Sequence, residues 1–185
     1  MLNILMTLQE EFDVKRPIDD DLLKKIAQGD MDAFHTLYES VSASVYGLAL
    51  SITKNSHDAD DVLQETFLKV HANASAYRPQ GKPLAWILTI TRNLAMTKLR
   101  EQSRTQEIQE THAVDYSSIR NAEQKLLIET LLNHLSEEER QIVMLHAISG
   151  LKHREIAKIL EAPLNTVLSK YHRAIKKLQL LTEEV

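Results

Sequence analysis

Apolar residues recur at helical spacing through most of the chain. Leu22, Leu23 and Ile26 lie about one turn apart before Gly29-Asp30 interrupts them. Phe34, Leu37, Tyr38, Val41, Val45, Leu48 and Ile52 follow in steps of three and four, which predicts one long amphipathic helix. Lys54-Asn55-Ser56-His57 reads as a turn. The next helix turns Val62, Leu63, Phe67, Leu68 and Val70 inward and carries Asp60, Asp61, Gln64 and Glu65 on its other side. Two prolines and a glycine within Arg78-Pro79-Gln80-Gly81-Lys82-Pro83 predict a loop. A fourth helix starts near Pro83, since the first turn tolerates proline. It carries Trp86, Ile87, Ile90, Leu94 and Leu99 with Arg92, Lys98 and Arg100.

From Glu101 to about Asn121 the apolar face lapses, leaving isolated Ile108, Val114, Tyr116 and Ile119 in a polar stretch. That composition predicts a flexible linker. Beyond it, Leu126, Leu127, Ile128, Leu131 and Leu132 predict a helix, and Ser136-Glu137-Glu138-Glu139 is a capping box opening another with Ile142, Val143 and Leu145. Ser149-Gly150 ends it. A helix over Lys152–Leu160, a break at Glu161-Ala162-Pro163 and a last helix from about Leu164 to Leu181 make a helix-turn-helix pattern. The fold expected is all-α, with two small helical domains joined by a flexible linker. Its divisions are an N-terminal extension (1–18), a first domain (19–103), the linker (104–120) and a second domain (121–185).

Composition agrees: helix formers dominate, with four glycines and four prolines in 185 residues. Cysteine is absent, which excludes disulfides and thiolate metal ligands and fits a reducing compartment. The opening MLNILMTLQEEFDVKR has no basic residue ahead of its apolar stretch, so it does not read as a secretory signal. No apolar run is long enough to span a bilayer. These features suggest a soluble cytoplasmic protein without membrane insertion.

The net charge is -4, but its distribution matters more. Lys152, Arg154, Lys158, Lys170, Arg173, Lys176 and Lys177 crowd the C-terminal end, whereas acids gather at Asp19-Asp20-Asp21, at Asp58, Asp60 and Asp61, and at Glu137-Glu138-Glu139. Within the helix-turn-helix, Ile156, Ala157 and Leu160 face inward and Val167 is their counterpart. That leaves Asn165, Thr166, Leu168, Ser169, Lys170, His172 and Arg173 on or near the exposed side. A helix in the major groove needs such donors and acceptors, and Lys176 and Lys177 suit phosphates. A solvated basic face on an ordinary hairpin is the competing reading.

Trp86 reads as a core anchor, as most large aromatics are. The histidines show no zinc-ligand spacing, and there is no phosphate loop, nucleophile elbow or paired-carboxylate site. No enzyme, metal or cofactor is expected.

GLKHREIAKILEAPLNTVLSKYHRAIKKLQ resembles the promoter-reading fourth region of the extracytoplasmic-function (ECF) sigma factors, and LSEEERQIVMLHAISGL the first part of that region. DADDVLQETFLKV is similar to their second region, which grips the polymerase clamp, and GKPLAWILTITRNLAMTKLRE to the stretch that captures and melts the upstream promoter box. The resemblance runs in order from about Asp19 to Leu181. It implies an initiation factor whose partners are the RNA polymerase core (beta-prime clamp and beta subunits), promoter DNA and an anti-sigma factor.

By the same resemblance, Asp60, Asp61, Leu63, Gln64, Glu65 and Phe67 meet the polymerase, and Trp86, Arg92, Asn93, Lys98 and Arg100 serve promoter melting. Arg92, Asn93, Lys98 and Arg100 would then hold the single strand, and Trp86 would edge a pocket for a flipped-out base where it is not simply a core anchor. Asn165, Thr166, Leu168, Ser169, Lys170, His172, Arg173, Lys176 and Lys177 read duplex DNA. The chain departs from the family at Thr97, where aspartate is frequent, and at His71, where tryptophan is. Glu161 and Asn165 stand in glycine positions, and Lys170 replaces an arginine whose bidentate fork it lacks. Two rivals remain: a conventional operator-binding regulator, and a sigma mimic that sequesters an anti-sigma factor.

Overall fold

The computed structural model describes residues 18–105, 133–147 and 149–183. The expected N-terminal extension apart from residue 18, the linker apart from its first two residues, and the helix around Leu126–Leu132 lie outside the described residues. Among those described there are helices and turns and no strand.

Helix α1 (Asp20–Ala27) is opened by Asp19, whose carboxylate accepts the Asp21 amide at 3.1 Å. It stops at Gly29, whose φ of 88° is open to glycine without penalty. Asp30 then caps α2 (Met31–Thr53) by accepting the Ala33 amide at 2.9 Å. The predicted stripe on α2 is real: Leu37, Val41, Val45, Leu48 and Ile52 are buried. The following turn is tighter than the expected four residues. Lys54 alone takes the left-handed conformation, and Asn55 caps α3 (Ser56–Asn73) through the Asp58 amide at 3.1 Å.

Helix α3 buries Val62, Phe67 and Val70 as expected but leaves Leu68 70% exposed. The inward positions recur at 59, 62, 66 and 70, and residue 68 falls midway between the last two, on the far side of the helix. Thr66 takes an inward place instead, its hydroxyl satisfied by the Val62 carbonyl at 2.7 Å. A single 3-10 turn (Ala74–Ala76) and an irregular loop lead into α4 (Pro83–Thr105), which buries Ile87, Leu88, Leu94 and Ala95 against α2 and α3.

The capping box is present as read. The Glu139 amide donates to the Ser136 hydroxyl at 3.3 Å, and the Ser136 amide donates back to the Glu139 carboxylate at 2.9 Å. It opens α5 (Glu137–Ala147), in which Ile142, Val143, Met144 and Leu145 are all buried. They belong to a run of seven buried residues, 139–145, which exceeds one helical face because α5 packs against both α2 and the last helix. Helices α6 (His153–Ile159) and α7 (Leu164–Glu183) complete the helix-turn-helix. Ile156 and Val167 are buried as expected, whereas Ala157 and Leu160 are only half-buried and Ile159 takes the deeper place. Glu161 holds the turn at φ 52°, a left-handed conformation that glycine reaches most easily.

The two halves touch. Arg140, 4% exposed, donates to the Ser51 carbonyl at 3.5 Å and to the Leu135 carbonyl at 3.2 Å. It thereby tends the carbonyl-rich C-terminal end of α2, where a cation is favoured. Lys82, just ahead of α4, pairs with Glu155 of α6 at 3.1 Å.

Candidate polymerase and promoter surfaces

On α3, Asp60, Gln64 and Glu65 are exposed and Asp61 and Leu63 half-buried. Glu65 pairs with Lys69 at 3.4 Å. Asp61 is committed further, accepting a 2.5 Å hydrogen bond from Lys98 of α4, which also lies 3.6 Å from Asp58. That bond holds the Asp61 carboxyl below, and the Lys98 ammonium above, their ordinary values. A residue read as a polymerase contact and one read as a DNA contact are therefore each other's partners.

Phe67 is not a surface residue. It is 4% exposed, packed under Tyr38 (ring centroids 4.6 Å apart) and Phe34 (6.1 Å). The apolar surface here belongs to Leu68 and to Tyr38, which is 41% exposed. His71 packs edge-on to Phe34 at 5.2 Å.

On α4, Trp86 sits at the edge of the core. It is half-buried against the core, and its ring stands 5.2 Å from that of Tyr77. Together with Arg78 and Lys82 this pair lines a cleft of about 370 Å³, whose far wall is Glu155 and Lys158 of α6. Asn93 and Arg100 are exposed and Arg92 half-buried. A smaller cleft of about 170 Å³ sets Arg92 and Met96 opposite Thr166 and Lys170, so the single-strand and duplex candidates face each other.

On α7, Asn165, Ser169, His172, Arg173, Lys176 and Lys177 are exposed, and Thr166, Leu168 and Lys170 half-buried. Arg173 is steadied by donating to the Ser169 carbonyl at 3.3 Å. Two of the lysines are engaged by α5: Lys170 pairs with Glu138, and Lys177 with Glu139 at 2.7 Å. Glu139 lies below the usual carboxylate range. Burial pushes it up, but Lys177 and the Ser136 amide and hydroxyl outweigh that.

Two histidines of this half pack with Tyr171 in one cluster. His146 and His153 rings lie 4.4 Å apart with Tyr171 edge-on to both, and His146 Nδ1 is 2.9 Å from the Leu151 carbonyl. Burial, then the neighbouring His146 and His172, hold His153 below its ordinary value. No grouping of three potential ligands suited to a metal occurs among the described residues.

Residues 37–105 match the Sigma-70 region 2 family and residues 125–178 the Sigma-70 region 4 family. The ECF RNA polymerase sigma factor SigK of Mycobacterium ulcerans (strain Agy99) is 30% identical over 169 residues, covering 85% of this chain and 90% of that protein. The chain belongs to the ECF sigma factors. It is thus a transcription initiation factor of RNA polymerase and not an enzyme. SigK of Mycobacterium tuberculosis (strain ATCC 25177 / H37Ra) is 31% identical, with 86% of this chain and 91% of that one covered.

The sigma factor RpoE of Bartonella quintana, solved with the anti-sigma factor NepR, superposes with a TM-score of 0.65 at 25% identity, over 81% of this chain and 96% of that one. CnrH, solved with the cytosolic domain of CnrY, shares the fold with a TM-score of 0.66 at 23% identity, over 90% and 97%. The sigma factor's region 2 match begins inside α2, later than residue 19, and ends at residue 105, one residue past the expected start of the linker at 104, while the region 4 match begins at 125. Membership removes the operator-binding regulator as a reading. No described helix is long and apolar enough to cross a membrane.

Proposed function

We propose that this sigma factor divides initiation between two helical units, residues 19–103 and 121–185, joined through 104–120, and works in the cytoplasm. The first unit meets the polymerase clamp through Asp60, Gln64, Glu65 and the Leu63 side of α3, with Leu68 and Tyr38 extending the contact. The same unit takes the melted promoter strand along α4, through Trp86, Arg92, Asn93 and Arg100. The second unit reads duplex DNA with α7, where Asn165, Ser169, His172 and Arg173 meet base edges and Lys176 a phosphate.

The observation that carries this reading is the segregation of charge. The exposed carboxylates of α3 and the exposed cations of α7 lie on separate helices, one in each half of the chain. An anti-sigma factor is the expected regulator, covering the apolar Leu68–Tyr38 face; RpoE was solved with such a partner.

Run-off transcription with bacterial core polymerase on fragmented genomic DNA of the source tests the assignment. Discrete transcripts that require the chain, and that disappear with Lys170→Ala and Arg173→Ala, are expected. Silence together with absent core binding overturns it, and capture of an anti-sigma factor without transcription replaces it with the mimic.

A further inference from the structure

Asp20 stands in the first turn of α1, yet its carboxylate is spent on residues 57 and 61 positions further on. One oxygen accepts the Tyr77 hydroxyl at 2.5 Å and the other accepts the Gly81 amide at 2.7 Å. These partners are the two ends of the irregular loop ahead of α4, so a single carboxylate ties the loop into a ring. Gly81 adopts φ 66°, a left-handed conformation that a side chain rarely takes. Tyr77 closes the preceding 3-10 turn, its amide donating to the Ala74 carbonyl at 3.2 Å. Its hydroxyl is held by Asp20 while its ring meets Trp86.

The loop therefore has little freedom, and what it presents is one wall of the larger cleft. That cleft combines two aromatic rings with Arg78 and with Lys82, the latter paired with Glu155 of the far wall, so that an unstacked base finds the rings and its phosphate finds Arg78. Its volume is that of a ligand pocket and not of a packing defect. Both Tyr77–Asp20 and Gly81–Asp20 are charge-assisted hydrogen bonds, stronger and more directional than neutral ones. The lowered Asp20 value, caused first by Tyr77 and then by Gly81, agrees that the ionised form is the one that binds.

We propose that Asp20 is a positioning residue for base selection in the melted strand: by fixing both ends of the 77–81 loop it sets the Tyr77 ring against Trp86 and so the shape of the cleft between them. This rests on the reading of α4 as the single-strand surface. Asp20 touches no base; it acts through Tyr77 and the loop.

The test uses holoenzyme assembled from the full chain and core polymerase. Its probe is fork-junction DNA whose single-stranded non-template segment is randomised, scored by sequencing the retained strands. Asp20→Ala and Asp20→Asn should each flatten the preference at one base position by about tenfold, with core affinity and binding of fully duplex DNA changed less than twofold. Tyr77→Phe, which keeps the ring and loses the hydroxyl, should flatten the same position to a lesser degree. Trp86, the chain's single tryptophan, supplies a readout of the loop itself, and its emission should shift in the Asp20 variants.

If Trp86→Ala erases a preference that Asp20→Ala leaves intact, the proposal is wrong and the single-strand reading stands. If Trp86→Ala erases no preference, that reading fails and the proposal with it. A shifted emission in Asp20→Ala with an unchanged preference profile also overturns it.

Discussion

Glu139 offers the sharpest energetic test, because one buried carboxylate serves two purposes. Its side chain is 5% exposed, closes the capping box with Ser136, and receives Lys177 from α7. Removing a capping group costs about 1 kcal/mol. A hydrogen bond to a charged group is worth about 1.5–3 kcal/mol when sheltered. Lys177, however, is 46% exposed, so solvent screening brings that pair down toward about 1 kcal/mol.

Glu139→Ala should therefore destabilise the chain by about 2 kcal/mol. Glu139→Gln keeps a box-competent oxygen, because glutamine serves at that position, and should lose only the pair, about 1 kcal/mol or less. Urea unfolding followed by far-UV circular dichroism at pH 7 measures both, with an unchanged slope required for comparison. A double-mutant cycle with Lys177→Met should return a coupling of about 0.5–1 kcal/mol. If the cycle returns no coupling, or Glu139→Ala unfolds with the wild type, the account of how α7 is held against α5 is refuted.

The pH dependence has a definite sign. Glu139 is depressed in the folded state, so its stabilisation is present above the ordinary glutamate range and disappears as pH falls through the lower folded value. Glu139→Gln should flatten that part of the acid limb.

Ile156→Ala, at a fully buried position between α6 and α7, should cost about 2–5 kcal/mol by the same unfolding assay. His153 is depressed by burial, so stability should decline as pH falls below the ordinary histidine range, and His153→Gln should remove that decline in a pH series of melts. Arg140→Met should loosen the two halves, read as a larger radius of gyration by small-angle scattering with helicity retained. Leu68→Ser should weaken core binding in a pull-down titration while changing stability by less than about 0.5 kcal/mol, since the residue is exposed.

The helices were legible in the chain because their signals are local. The α2 stripe, the Ser136 box and the Glu161 break each rest on residues a few positions apart, and each is found as read. Leu68 was misplaced because a run of apolar letters outweighed the strict period, which puts it opposite Thr66 and Val70. The pairing of Asp61 with Lys98 and the loop tie from Asp20 were invisible for another reason. Their partners are 37, 57 and 61 residues apart, and no periodicity encodes which carboxylate a distant donor will meet. Site residues read by family resemblance fall on α3, α4 and α7, but resemblance does not say which of them are already engaged.

That engagement bears on how the protein meets DNA. Lys98, Lys170 and Lys177, all read as DNA contacts, each have a carboxylate at hand in Asp61, Glu138 and Glu139. A phosphate must displace that carboxylate, so the lysine's gain on binding is the difference between two ion pairs and not the whole of one. A cation already neutralised also releases fewer counterions, and the salt dependence should fall short of the roughly 0.9 per phosphate seen with unpaired cations. Glu138 is 65% exposed and makes no cap, so removing its charge tests the point without unfolding the helix. Glu138→Gln should tighten binding of a duplex oligonucleotide at low salt and steepen the plot of log affinity against log salt by up to about one unit. Equal slopes for the two proteins would mean that Lys170 sits off the DNA, and base reading on α7 would then fall to Arg173 and its polar neighbours.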